Sequence, residues 1–179
     1  ENGFRHITNS KRAIKAPEDA KGLKIRTMEN KVHMEAFKAM GSLPTPMAMQ
    51  EVFTALQTGT VDGQENPVPV ILSNKLYTVQ KHFTMTGHVY SPAMLIINPD
   101  VWKKVSDADK AAFKEAAKVA VVANRKKVNA MEAEGLDIMR KAGVEVIEKV
   151  DNAAFQKAVA SAYATFNKEF GEANIKKSV

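Results

Sequence analysis

Asp62, Gln64, Glu65 and Asn66 stand together in LQTGTVDGQENP, residues 56–67, crowded in with Gly59, Gly63 and Pro67. Such a set offers three chemistries: an acid/base pair, an oxygen-lined metal loop, or a clamp for a small polar molecule. Acid/base hydrolysis needs two carboxylates facing each other across a substrate. Asp62 and Glu65 are three residues apart in one segment, so turn and loop hydrogen bonding by Asp62 before Gly63 is the stronger reading. A hydrolase using Asp62, Glu65 and His88 stands as an alternative. DGQEN lacks the alternating acid ladder and distal glutamate of a calcium loop. His6, His33, His82 and His88 have no spacing that puts two ligands on one helix face, so no metal site is expected. There is no G-x-S-x-G elbow and no G-x-G-x-x-G or G-K-[ST] cradle, so neither a nucleophile nor a cofactor is expected. Nine methionines suit an adaptable core.

The clamp has better material. Arg26 ends the apolar run LKI, and a planar guanidinium matches a carboxylate through two parallel hydrogen bonds. The same residue is equally at home as a surface arginine at a strand end. Asn66 carries an amide that donates to a carboxylate and accepts from a hydroxyl, although an asparagine before proline is also a common turn residue.

These side chains need elements to hold them. LKIRTM, residues 23–28, reads as a strand. Residues 29–40 fit a helix with Val32, Ala36, Phe37 and Met40 on one face and Gly41 at its stop. LPTPM is extended because two prolines exclude a helix interior. Residues 50–58 form a second helix, Val61 starts a short extended piece into a polar QENP loop, and residues 68–75 are helical. FTMTGHVY and AMLIIN read as strands. Ser106 caps a helix from 107 to about 140 that is free of proline, roughly 50 Å long at about 1.5 Å per residue. VEVIE is a strand, and residues 152–170 form a last amphipathic helix with Phe155, Val159, Tyr163 and Phe166 on one stripe. Alternating strands and helices predict an α/β fold, in which ligands bind beyond the carboxyl ends of the strands. Arg26 and the QENP segment both fall on that edge.

Composition fits one compact domain or two small lobes: 179 residues, 45% hydrophobic and 26% charged. Without cysteine there are no disulfides and no thiol chemistry. No basic-then-apolar leader is visible. The net charge of +6 favours acidic ligands, and a basic nucleic-acid-binding module is a further alternative. The densest basic runs, Arg125-Lys126-Lys127 and Lys176-Lys177, lack interleaved aromatics and read as solvated helix faces, so no nucleic acid is expected.

Three segments carry a family resemblance: GFRHITNSKRAIKAPEDAKGLKIR (3–26), GSLPTPMAMQEVFTALQTGTVDGQENP (41–67) and KLYTVQKHFTMTGHVY (75–90). In order and spacing they resemble the substrate-binding proteins of TRAP transporters, the DctP-like family, and the likeness continues to about residue 170. It implies a periplasmic-binding-protein-like (type II-like) lobe with a mixed sheet and a long bridging helix. Residues 1–91 and 132–179 would form the second lobe, and residues 92–131 the remainder of the first lobe with the front of the long helix. It also implies a first lobe largely missing, hence a chain shortened at its N-terminus, with self-association or a separate N-terminal fragment. By the same resemblance Arg26 pairs with the ligand carboxylate, Arg5 is a second cleft arginine, Asn66 closes on the carboxylate or a hydroxyl, Met49 packs on the ligand, and His88 lies near the hinge. The implied function is periplasmic binding of a small organic acid, a C4-dicarboxylate or a sugar acid of uronate or sialate type, and its delivery to a TRAP membrane permease without catalysis.

Overall fold

The computed structural model describes residues 1–176. Strand β1 (Gly3–Asn9) leads through a short 3-10 turn at Pro17–Ala20 to β2 (Lys24–Thr27) and helix α1 (Lys31–Ala39). Then come β3 (Leu43–Pro46), α2 (Met49–Gln57), β4 (Gly63–Pro67), α3 (Val68–Ser73) and, after a second 3-10 turn, β5 (His82–Ser91). The chain continues through α4 (Pro99–Lys104), α5 (Asp107–Lys141), β6 (Glu145–Ile147), α6 (Asn152–Ala158), α7 (Ala160–Phe170) and α8 (Glu172–Lys176).

The six strands form one mixed sheet in the order β3-β2-β4-β1-β5-β6. β1 is antiparallel to both β4 and β5, while β2 is parallel to β3 and β4, and β6 to β5. All strands but β1 therefore run one way, and their carboxyl ends meet the start of β1 along a single edge. A buried cluster on one side joins Val52 and Leu56 of α2, Val68 and Ile71 of α3, Phe83 and Met139. The second cluster joins Ile7 and Ile25 to Phe37 and Met40 of α1 and Phe155 of α6.

Two close approaches need glycine. A Cβ on Gly63 would lie 2.1 Å from the Thr8 carbonyl oxygen, so a side chain there would push β1 off β4. A Cβ on Gly135 would lie 2.4 Å from Val68 Cγ1, so its absence lets α5 settle on α3.

Several expectations need correction. QENP is not a loop: it is β4, buried along its whole length between β1 and β2, where its backbone groups find ladder partners. AMLIIN forms no strand, because no described strand pairs with it; Met94, Leu95 and Ile96 are 85%, 81% and 85% exposed. The helix expected over 152–170 breaks at Val159 into α6 and α7. β1 (Gly3–Asn9) is not among the strands expected from the residue pattern. The long helix is as expected, 35 residues capped by Ser106, but Val128, Gly135 and Met139 are its buried residues and Phe113 is exposed. Arg125, Lys126 and Lys127 lie on its exposed part, and Lys177 lies outside the described residues. Among the described residues no helix is long and apolar enough to cross a membrane.

Candidate functional site

The side chains of a strand alternate between the two faces of its sheet, and that alternation divides the polar edge into two halves. Arg26 is in register with Gln64, so Arg26, Gln64 and Asn66 share one face while Glu65 projects to the other. Arg26 lies at the carboxyl end of β2 and is only 3% exposed. Its Nε and Nη2 donate to the Met47 carbonyl oxygen at 3.0 and 2.7 Å, which fixes the guanidinium plane. Nη1 donates to none of the described residues. Burial lowers the Arg26 pKa, opposed by the Glu65 charge and reinforced by Arg5; arginine nevertheless stays charged in proteins.

Asn66 is oriented by a chain of buried amides and hydroxyls. Its Nδ2 donates to Gln64 Oε1 at 2.6 Å, Gln64 Nε2 to Thr8 Oγ1 at 2.9 Å, and Thr8 Oγ1 to Gln80 Oε1 at 2.9 Å. Gln80 Nε2 ends the chain on the Val79 carbonyl at 2.8 Å. Asn66 Oδ1 accepts from Arg5 Nη2 at 2.9 Å, and this bond joins the two halves. Met49 opens α2, half-buried, and packs with Met47 against the α2 core cluster.

Arg5, Glu65 and His88 meet on the other face. Arg5 is 2% exposed and faces an internal partner: Nε stands 2.5 Å from Glu65 Oε2, while Nη2 reaches Oε1 and the Glu65 carbonyl, each at 2.8 Å. His88 Nε2 lies 3.1 Å from Oε2, its Nδ1 lies 2.7 Å from Thr86 Oγ1, and Phe37 packs edge-on against its ring at 5.4 Å. His33, in the first turn of α1, brings Nδ1 to 3.6 Å from Oε1, inside ion-pair range but beyond a hydrogen bond. Burial pushes the Glu65 pKa up, but the approach of His33, His88 and Arg5 more than offsets it and holds the carboxyl well below its ordinary range. His6 is buried nearby and accepts from the Gly87 N–H at 3.1 Å; burial, aided by His88, lowers its pKa to about 4.

The acid-pair reading fails on this geometry. Asp62 precedes β4 at the opposite end of the sheet, where Oδ2 accepts from the Lys24 N–H at 2.9 Å and Oδ1 lies 3.6 Å from Lys11 Nζ. Glu65 is already an anion held by a guanidinium. Sequence reasoning placed Gln64 on the edge with the rest of QENP but missed Thr8, Gln80 and His33. Reading residues 63–67 as a strand would have separated Gln64 and Asn66 from Glu65; Thr8 and Gln80 carry no local signal. A groove of about 770 Å³ opens behind the Glu65 cluster, past Phe37, Leu136, Phe155 and Tyr163, and neither Arg26 nor Asn66 lines it.

A planar cation with a free edge beside an oriented amide is equipped to bind an anion. The family profile of DctP, bacterial extracellular solute-binding protein family 7, matches residues 1–169. A solute-binding protein of Verminephrobacter eiseniae is 54% identical over 173 residues, 97% of this chain and 52% of the relative. The crystal structure of a TRAP periplasmic solute-binding protein from Polaromonas sp. JS666, bound to D-erythronate, superposes with a TM-score of 0.94 at 62% identity, covering 99% of this chain and 58% of that one. A second, from Bordetella bronchispeptica, has a TM-score of 0.92 at 52% identity, with 99% and 58% covered, and its ligand density is interpreted as pantoate. The chain thus spans little more than half the length of these relatives. With a profile match running nearly end to end, it belongs to the DctP family of TRAP solute-binding proteins.

Proposed function

We propose that this chain is the carboxylate-binding half of a periplasmic TRAP solute-binding protein whose cargo is a small hydroxylated monocarboxylic acid. D-erythronate and pantoate share a 2,4-dihydroxybutanoate skeleton, one carboxylate with hydroxyls close by. The observation that carries the reading is the 62% identity, at a TM-score of 0.94, to a protein bound to D-erythronate. The site geometry supports it. With Nε and Nη2 tied to Met47, Arg26 keeps its Nη1–Nη2 edge for two carboxylate oxygens. Asn66 stands alongside, its amide oriented to meet a hydroxyl or the same carboxylate. Residues 1–91 and 132–176 act as the ligand-binding lobe; residues 92–131, with their exposed Met94, Leu95 and Ile96, belong with the other lobe. The liganded form is handed to a TRAP permease in the membrane.

A thermal-shift panel tests the cargo. D-erythronate and pantoate at about a hundredfold excess over Kd should stabilise the intact protein by about 2.7 kcal/mol, seen as a higher Tm. Succinate and D-glucuronate should shift it far less. Equal shifts from all four acids, or none from the first two, would reject this choice of cargo.

A further inference from the structure

Helix α1 touches the Glu65 cluster at two points one turn apart. His33 approaches Oε1 directly, and Phe37 packs on the ring of His88, which holds Oε2. The two oxygens of this wholly buried carboxylate are therefore both braced from α1 as well as by Arg5. His33 is itself buried, and its Nδ1 makes no hydrogen bond to the described residues, an expensive state for a buried ring nitrogen beside an anion. Closing the 3.6 Å separation to an ordinary hydrogen bond takes a movement of roughly 0.4–0.9 Å. α1 starts five residues beyond Arg26, with Asn30 capping its first turn through the Val32 and His33 amides, so it is one of the helices that begin at the ligand edge.

We propose that His33 is a positioning residue of the ligand clamp: its Nδ1–H engages Glu65 Oε1, and Glu65 in turn holds Arg5 against Asn66. Resting on the assignment of Arg26 and Asn66 as that clamp, the role makes α1 the brace that keeps the Asn66 amide aimed while Arg26 takes the carboxylate. Arg5 transmits the position of Glu65 through the 2.9 Å bond to Asn66 Oδ1.

Two substitutions separate this role from mere packing. In His33→Asn the amide nitrogen occupies the place of Nδ1; in His33→Gln it occupies the place of Nε2 and misses Oε1. The first readout needs no ligand: hydrogen exchange of the Arg5 Nε–H, followed by nitrogen–proton NMR. The second is the D-erythronate Kd by calorimetry. H33N should keep both near wild type, while H33Q should speed the exchange and weaken binding by about tenfold, the usual scale of such indirect coupling. If both variants match wild type, or both fall together while still folded, the proposal is overturned. If wild type binds no acid at all, the clamp assignment fails, and the Arg5 exchange rates still decide whether His33 holds Glu65.

Discussion

Acidifying the protein from pH 7 to pH 4 should remove about 3 kcal/mol of folding stability through one buried imidazole, that of His6. His6 is 6% exposed, packs edge-on against Phe83 at 5.5 Å, and uses a neutral Nδ1 to accept from the Gly87 amide. Protonation removes that acceptor and places a cation in an apolar wall beside His88. Its pKa accordingly falls from 6.5 in the unfolded chain to about 4 in the folded one. A basic group with a depressed folded pKa stabilises the fold fully above its unfolded value, and that contribution drains away as the pH drops from 6.5 toward 4. At about 1.4 kcal/mol for each tenfold change, the loss by pH 4 is about 3 kcal/mol. Urea unfolding of wild type and His6→Asn at pH 7, 5.5 and 4 isolates the effect, because asparagine keeps an acceptor near the Nδ1 position and does not titrate. Wild type should lose about 3 kcal/mol more than H6N between pH 7 and 4. Parallel losses would show that His6 does not resist protonation and would refute the argument from burial.

Other perturbations read different parts of the structure. Arg5→Met strands the buried Glu65 carboxylate and should destabilise the fold by about 3–5 kcal/mol in denaturant titration, a large cost that a surface ion pair would not show. Gly135→Ala drives a methyl group into Val68 and Leu72 and should cost about 1–3 kcal/mol, with α5 prised from α3. The chain on its own should self-associate in light scattering through the exposed Met94–Leu95–Ile96 run, and serine at those three positions should restore a monomer.

How much of this was legible in the sequence depended on the range of the interaction. The helices declared themselves through their period, and Ser106 stands, as read, where the longest one starts, accepting from the Asp109 amide; Asn30, read as part of its helix, is instead the cap that accepts from Val32. Arg26 was visible as a cation after an apolar run, and the resemblance gave it a purpose. What stayed hidden was set by distant partners. QENP has the composition of a loop and becomes a central strand only because β1 and β2 flank it, and its polar side chains are satisfied by Thr8 and Gln80 from elsewhere in the chain. Conversely, AMLIIN has the composition of a strand and finds no partner among the described residues. His33 carried no signal of its own beyond lacking a metal partner at helical spacing; only the fold brings it to Glu65, 32 residues on in the chain.

Isothermal titration of D-erythronate into the intact protein and its Arg26→Ala variant tests the central assignment most directly. Wild type should bind one equivalent, and removal of a desolvated guanidinium that pairs with the ligand should weaken binding by about 2–5 kcal/mol, thirtyfold or more. An R26A variant that binds as tightly as wild type would contradict it.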